Sequence, residues 1–228
     1  DVFAELDESV RDDLVEKLGV AYVASAVSEM DTDDAVQVIE ELEEHEQKQV
    51  LEAIPAGERT LIEEGLAYPE DSAGRLMQRE VMTVPEFWNV GETIDFLRQQ
   101  ADAEEAGQDA GSLPDLFYDI FVVDPSHKPV GSVALSRLLR SRRPVTITDI
   151  ISSEMKLVQV DEDQEDVAYL FGQRDLVSAP VVDAAGRLVG VITVDDVVDV
   201  IHEEHEEDIM RLGGVRADDL YEAVGDTT

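Results

Sequence analysis

The sequence contains no cysteine, little lysine and no long apolar stretch. Without cysteine, the chain cannot form a disulfide bond, a thiolate metal site or a cysteine nucleophile. A helix that crosses a bilayer needs about 20 apolar residues, and no stretch free of charged residues approaches that length. We therefore expect a soluble chain in the cytosol. It begins at Asp1 without an initiator methionine and ends in a polar tail, which predicts a piece excised from a longer protein.

Basic residues are also scarce, with 17 Lys and Arg against 54 Asp and Glu and a formal net charge of -37. Such an exterior repels a nucleic-acid backbone and an anionic membrane, so we expect no nucleic-acid partner. The carboxylates would instead attract Mg²⁺ or Ca²⁺, which prefer oxygen ligands. General adaptation to high salt predicts the same acidity and the same scarcity of lysine. Composition alone therefore leaves both interpretations open.

Helical repeats occupy the first third of the sequence, with a period of 24 residues. The units begin at Leu6, Met30 and Ile54, and apolar residues three to four apart follow each start, as in amphipathic helices. The positions that repeat in register are Leu14, Val38 and Ile62, then Leu18, Leu42 and Leu66, and on a second helix Val27 and Leu51. The predicted N-caps are Asp7, Thr32 and Asp33. The pattern predicts a stack of helical hairpins, none of which buries its apolar face alone.

A different repeat follows the turn-forming residues 68–74. Each copy has the order helix, strand, turn, strand, helix, and a short strand precedes the second copy. In the first copy these elements are a helix around Val90, Ile94 and Leu97 and then residues 120–123, 125–128, 130–134 and 136–139. In the second copy they are the strand at Val158 and Val160, the helix face of Val167, Leu170 and Phe171, and residues 176–182, 183–186, 188–193 and 194 onward.

The duplication is specific, because Asp124 and Gly131 recur as Asp183 and Gly190 at one constant offset. The first copy carries extra residues at 101–116, which we expect to form an exposed loop. The predicted fold class is therefore α+β multidomain, with an all-α helical-repeat domain followed by two α/β units.

Several motifs resemble known families. Residues 180–183 and 190–196 resemble a CBS domain, and the tandem repeat resembles a CBS pair. Together with the helical repeats, residues 68–77, 193–200 and 207–213 resemble the MgtE family of magnesium transporters and channels. The resemblance covers nearly the whole chain.

This resemblance implies an architecture and a function. The implied parts are an N-terminal helical domain at 1–70, CBS domains at 71–143 and 144–202, and at 203–228 the start of a helix that connects to a membrane domain absent from this chain. Family members are homodimers that associate through the CBS domains. In them, Mg²⁺ bound between acidic surfaces of these parts closes the pore, so the resemblance places the chain at the cytoplasmic face of the cell membrane.

Acidic residues concentrate at 161–166, where a helix begins, and at 195–208, along the last helix. Carboxylates near a helix N-terminus are favoured by the helix dipole, so the first group needs no metal. The second group extends past the first helical turn, where like charges repel. Two unit charges 4 Å apart interact by roughly 1 kcal/mol in water and about 4 kcal/mol at an effective dielectric constant of 20. A divalent cation between two acidic surfaces would therefore turn repulsion into attraction.

The resemblance assigns Mg²⁺ ligands to the acidic residues that match family positions. On the last CBS helix and the connecting helix these are Asp196, Asp199, Glu204, Glu207 and Asp208. Elsewhere they are Glu165 and Asp175 in the second CBS domain and Asp33 and Asp34 in the helical domain. Mg²⁺ keeps several waters and often uses one or two carboxylates per site, which suits sites shared between domains. An ordinary solvated side chain remains an open interpretation of Glu204.

A nucleotide site is a second expectation from the resemblance, since CBS pairs often bind adenosine nucleotides. Thr193 and Asp196 match the family's ribose-contacting pattern, whereas the first copy has Ala134 and Arg137 at those positions. We therefore expect at most one site for ATP or another adenosine nucleotide per chain. The residues expected near the base are Leu176 and Ala179. A helix cap is an equally open interpretation of Thr193.

No catalytic residues are predicted, and we expect no enzymatic activity. His202 and His205 are three residues apart, whereas a zincin helix needs histidines four apart. The sequence has no phosphate-binding glycine loop of the Walker type and no serine elbow. The alternative function is a free-standing CBS module that senses adenylates and regulates another protein.

Overall fold

The computed structural model describes residues 19–40, 42–106, 114, 116–152 and 154–213. Four helices make up the described part of the N-terminal domain: α1 (Val20–Val27), α2 (Thr32–Glu40), α3 (Glu44–Ala53) and α4 (Ala56–Leu66). The starts of α1 and α3 are 24 residues apart, and so are those of α2 and α4, which confirms the predicted period. α1 is the second helix of the first unit, whose beginning, with Leu6, Asp7, Leu14 and Leu18, lies outside the described residues.

The helices stack in equivalent pairs, because α1 packs on α3 and α2 packs on α4. Val38 and Ile62, one repeat apart, are both buried in the shared core, and so are Val27 and Leu42. Leu51 packs against the same core while partly buried. Each hairpin thus covers the apolar stripe of its neighbour, as expected for repeats that cannot bury it alone.

The start of α2 differs from the sequence prediction. Neither Thr32 nor Asp33 caps this helix, since α2 begins at Thr32 itself and Asp33 lies in its first turn. The Thr32 hydroxyl instead donates to Glu80, 48 residues away. A carboxylate from a distant part of the chain therefore satisfies donors at this helix end.

The rest of the described chain forms two three-stranded sheets with flanking helices. Before the first unit, α5 (Ala73–Leu76) packs against the core of the second unit. The first unit contains β1 (Thr83–Pro85), α6 (Val90–Glu105), β2 (Asp119–Val123), β3 (Pro129–Ala134) and α7 (Leu135–Arg140), and the 3-10 turn (Ile147–Asp149) that follows packs in the same core. The second unit contains β4 (Val158–Gln159), α8 (Gln164–Arg174), β5 (Ser178–Val182), β6 (Leu188–Thr193) and α9 (Val194–Gly213). In each sheet the middle strand is parallel to the first strand and antiparallel to the third. The predicted fold class is confirmed.

The internal duplication extends to single hydrogen bonds. Asp124 accepts backbone N–H bonds from Ser126 and Lys128, and Asp183 accepts them from Ala185 and Arg187. These Asx-type turns fix the two equivalent hairpins. Both hairpins also have a bulge at the same step of the middle strand. The aspartate in the repeated motif is therefore explained by turn geometry.

Two predicted boundaries were wrong. Residues 101–105 continue α6 as a helix, while residues 107–113 and 115 of the predicted loop lie outside the described residues. The strand predicted from Leu176 begins at Ser178, because Asp175 ends α8 in the left-handed conformation at φ 51°. Among the described residues, no helix is long and apolar enough to cross a membrane.

Candidate functional site

An acidic cleft lies between α2 of the helical domain and α9 of the second α/β unit. Its volume is about 280 Å³. The carboxylates that line it are Asp33, Asp34, Glu40, Glu70, Asp71, Asp196 and Asp199. Among the described lining residues, Arg75 is the one cation, and its guanidinium lies 3.1 Å from the Glu40 carboxylate. The cleft therefore carries a large uncompensated negative charge.

The ends of two helices bring the facing carboxylates together. Asp33 and Asp34 lie in the first turn of α2, where the helix dipole favours negative charge. Asp196 lies in the first turn of α9, which follows β6 directly. Its carboxylate accepts the Thr193 N–H and the Thr193 hydroxyl, each at 2.8 Å. Both bonds end on Asp196, so they fix its side chain against the residue that precedes α9.

The cleft shifts the ionisation of three of its carboxyl groups. Burial raises the pKa of Asp33 well above its ordinary value, and the charges of Asp196 and Asp34 raise it further. Burial likewise raises the pKa of Asp196 to about 6, although the hydrogen bonds from Thr193 oppose the shift. The pKa of Asp34 is raised by burial and by the charges of the second unit. Full ionisation of the cleft is therefore unfavourable without a counter-ion.

Asp33 and Asp196 influence each other across the cleft. Burial raises the pKa of Asp33 most, and the charge of Asp196 raises it further. Protonation of one of the two carboxyl groups relieves the repulsion between them. A metal ion that binds here replaces such a proton, so a proton and a cation are alternative ways to balance the charge of the two walls.

The raised pKa values make stability depend on pH in a metal-free buffer. The pKa of Asp196 is about 6 in the folded state, against an ordinary value of 3.8. Between these two pH values the folded state therefore binds more protons than the unfolded state. The free energy of unfolding falls as pH rises through this range. In EDTA, we expect wild type to lose roughly 1–3 kcal/mol relative to Asp196→Asn between about pH 4 and about pH 7, measured by urea denaturation. Equal pH slopes in the two proteins would contradict this.

The donor set fits a hydrated cation better than a closed protein cage. No group of three or more His, Asp or Glu side chains within the described part of the chain converges on one point as metal ligands. Mg²⁺ normally keeps several waters and takes one or two carboxylates directly. Facing pairs on two elements, Asp33 and Asp34 against Asp196 and Asp199, match that chemistry.

The other predicted ligands lie elsewhere. Glu165 is exposed in the first turn of α8, and the neighbouring Gln164 lines the cleft instead. Asp175 caps the C-terminal end of α8 and lines a different cavity. Glu204 is partly buried on α9 and has interactions of its own. Glu207 and Asp208 lie in α9, with side chains outside the described ones. For all of these, metal binding stays a prediction.

Sequence reasoning missed four charged residues of the cleft, namely Glu40, Glu70, Asp71 and Arg75. Three of them belong to residues 68–77, a segment that supported the family resemblance but was not predicted to bind a ligand. Glu40 could have been found from helical spacing, because a residue six or seven positions after Asp33 and Asp34 returns to their side of a helix after two turns.

The residues predicted to hold a nucleotide do not meet in one cavity. Leu176 lines a cavity of about 290 Å³ between the two α/β units. Thr193 lines a separate cavity of about 20 Å³ and donates its hydroxyl to Asp195 and Asp196. Ala179 is fully buried in the second core. The Thr193 hydroxyl is therefore engaged by acidic residues at the start of α9. Both interpretations of its sequence motif, ribose contact and helix cap, stay predictions.

Ala134 and Arg137 line the larger cavity, and so does Lys156. In the second unit, Thr193 is equivalent to Ala134 and Asp196 is equivalent to Arg137. The hydroxyl and the carboxylate of the family pattern are thus missing at the matching positions of this cavity, although Asp119, Ser132 and Ser178 supply such groups elsewhere in its lining. Nucleotide binding stays a prediction.

Comparison with known proteins gives a consistent result. A family model described as the MgtE intracellular N domain matches residues 1–71, and one described as a CBS domain matches residues 147–203. The magnesium transporter MgtE of Thermus thermophilus is 35% identical over 190 residues, which cover 83% of this chain and 40% of that protein. The magnesium transporter MgtE of Bacillus subtilis is 28% identical, over 97% of this chain and 47% of that protein. The chain thus spans less than half the length of these curated relatives.

A solved structure is similar as well. It is described as the cytosolic domain of the Mg²⁺ channel MgtE in complex with ATP, and it superposes with a TM-score of 0.78 at 29% identity. The match covers 87% of this chain and 77% of that one. The likeness therefore includes both the helical domain and the α/β units.

Proposed function

Because this chain belongs to the MgtE family, we propose that it is the Mg²⁺-sensing cytosolic region of a magnesium transporter or channel. Mg²⁺ binds in the acidic cleft and holds the helical domain against the second CBS unit, which favours the closed pore of a membrane domain. The observation that carries this proposal is the convergence of Asp33 and Asp34 with Asp196 and Asp199 on one cleft. These four residues come from segments more than 150 residues apart.

The physical basis is a change in the sign of an interaction. Without a cation, ionised carboxylates on α2 and α9 repel, and close like charges cost about 4 kcal/mol per pair at an effective dielectric constant of 20. A hydrated Mg²⁺ between them replaces this repulsion with two attractive contacts and keeps most of its own water. Affinity is then modest, which suits the sensing of an abundant cellular ion.

The proposal includes the domain division and the partners. Residues 1–70, 71–143 and 144–202 are the three domains, and 203–228 begin the helix toward a transmembrane domain. Two chains associate through their CBS units, which present exposed apolar residues on α7 and α9, namely Leu139, Val194, Val198 and Ile201. Leu139 and Val198 are equivalent under the duplication, so both units offer the same kind of surface to a second copy.

Limited proteolysis with small-angle scattering tests the proposed function on the purified chain. We expect Mg²⁺ at millimolar concentrations to reduce the radius of gyration and to protect residues 67–72, which join the helical domain to the first CBS unit. Mn²⁺ serves as a second hard cation, and choline chloride at equal ionic strength as the control. Identical shape and cleavage in Mg²⁺ and in EDTA would refute the proposal.

For nucleotides we propose weak binding. A similar solved structure is described in complex with ATP. In this chain, however, the cavity of about 290 Å³ has Ala134 and Arg137 at the positions where the ribose-contacting pattern has a hydroxyl and an acid. We expect Ala134→Thr combined with Arg137→Asp to strengthen ATP binding by about tenfold or more, because each added group can hydrogen-bond the sugar. Isothermal titration calorimetry measures this, with Arg140→Asp as the control for charge. Tight ATP binding by wild type would favour the alternative function, a CBS module that senses adenylates.

A further inference from the structure

Residues 77–80, which we call the strap, contact both walls of the acidic cleft. On the second CBS unit, the Gln78 N–H donates to the Val191 carbonyl at 2.8 Å, and the Val191 N–H donates back at 2.9 Å. A Cβ added to Gly190 would lie 2.5 Å from the Met77 sulfur and 2.8 Å from the Gln78 carbonyl, so the strap leaves no room for a side chain there. Since β6 continues directly into α9, the strap is in fixed register with the wall that carries Asp196.

On the helical domain, the strap holds the first residue of α2. The Glu80 carboxylate accepts the Thr32 N–H at 3.2 Å and the Thr32 hydroxyl at 2.5 Å. Thr32 is buried, so its polar groups depend on this partner. The contact is charge-assisted and lies at a helix N-terminus, where a carboxylate is favoured. Asp33 and Asp34 follow immediately, so Glu80 fixes the start of the helical turn that carries them.

Arg79, which lies between Gln78 and Glu80 in the strap, makes a third contact. Its guanidinium lies 2.6 Å from the Glu64 carboxylate on α4 and donates to the Val189 carbonyl on β6 at 3.2 Å. One side chain thus bridges the helical domain and the second CBS unit. Together, these contacts connect the two walls through protein groups alone in the arrangement that the structure shows.

The carboxylates in the cleft cannot set their own spacing, because ionised groups of like charge repel at every distance. We propose that the strap sets this spacing and that Glu80 and Thr32 are positioning residues for the cation site, although neither is a ligand. This inference rests on the proposed function, because it explains how the facing pairs are held ready for a bridging ion. The strap therefore determines Mg²⁺ affinity through geometry.

Substitution of Thr32 separates geometry from charge. Thr32→Val removes the hydroxyl bond to Glu80 and leaves the net charge unchanged, whereas Thr32→Ser retains the bond. We expect Thr32→Val to raise the Mg²⁺ concentration at the midpoint of closure by about tenfold, the usual effect of losing a hydrogen bond to a charged group. Thr32→Ser should stay near wild type. The control is Thr60→Val, because the Thr60 hydroxyl bonds only the Ala56 carbonyl within α4.

Pulsed electron resonance between two spin labels measures the spacing. The chain has no cysteine, so Gly57→Cys and Gly172→Cys give a defined pair, and an added Cβ meets nothing within 4 Å at either position. An excess of unlabelled chain removes distances between copies. We expect Thr32→Val to broaden the distance distribution in EDTA and to need more Mg²⁺ to narrow it.

The two ideas fail in different ways. If Mg²⁺ does not change the distance distribution of the wild type, the proposed function is wrong. The distance distributions in EDTA would then test the strap inference by themselves. A Thr32→Val protein that matches Thr60→Val both in EDTA and in its Mg²⁺ midpoint would overturn the strap inference. A Thr32→Ser protein as impaired as Thr32→Val would also overturn it, because the hydroxyl bond would then be irrelevant.

Discussion

Replacement of Asp33 and Asp196 by asparagine should make the closed arrangement independent of Mg²⁺. The two carboxyl groups line the same cleft, and burial raises the pKa of both. Two amides of the same shape are neutral and can both donate and accept hydrogen bonds, so they face each other without charge repulsion. The same change removes the charge that attracts a cation. We therefore expect Asp33→Asn with Asp196→Asn to resist protease in EDTA as wild type does in saturating Mg²⁺.

The size of the effect follows from the repulsion that disappears. One close pair of like charges is worth about 4 kcal/mol at an effective dielectric constant of 20, or roughly a thousandfold in the closing equilibrium. A matched control is Glu52→Gln with Asp166→Asn, since both residues are exposed, lie outside the cleft and belong to the same two domains. The control pair has the same net charge and should keep the Mg²⁺ response. If both double variants behave alike, the cleft is not the sensing site.

Much of the fold follows from local sequence patterns. The period of 24 residues predicted where α2 and α4 begin, because equivalent positions such as Val38 and Ile62 must be buried at each step of a stack. The pattern did not predict what holds the end of α2. Thr32 has the chemistry of an N-cap, but its partner is Glu80, and a contact over 48 residues leaves no local signal.

The sequence predicted some of the residues on each wall of the candidate site. Asp33, Asp34, Asp196 and Asp199 were assigned from family resemblance, and the fold brings all four to one cleft. Spacing alone could not have selected them among 54 acidic residues, because helix dipoles and turns explain many of the others equally well. Arg75 was missed because its role depends on tertiary contacts with Glu40 and two carbonyls.

The nucleotide residues show the opposite outcome. Thr193 and Asp196 satisfy the ribose-contacting pattern, but the Thr193 hydroxyl donates to Asp196, and Asp196 lines the acidic cleft. A hydroxyl and an acid three residues apart at a helix start can hydrogen-bond each other as well as a ribose, so the spacing does not distinguish the two arrangements. Only the surrounding packing decides between them, and it places Thr193 beside a cavity of about 20 Å³.

Monovalent salt should stabilise the folded chain strongly even without Mg²⁺. A net charge of -37 means that carboxylates repel over the whole surface. Raising KCl from about 0.1 M to about 1 M shortens the Debye length from about 10 Å to about 3 Å, which removes most repulsion between exposed charges. We expect the melting temperature in EDTA to rise by on the order of 10 °C, as measured by scanning calorimetry.

This salt effect separates general acidity from metal sensing, which composition alone could not do. Screening acts on all exposed carboxylates, so the variant with Asp33→Asn and Asp196→Asn should gain nearly as much from KCl as wild type. Bridging by Mg²⁺ acts only where carboxylates face each other across a cleft, so at constant ionic strength the remaining Mg²⁺ effect should saturate in wild type and vanish in the variant. A Mg²⁺ effect of equal size in both proteins would mean that the cation acts only as a screening ion, and the acidity would then reflect adaptation to salt.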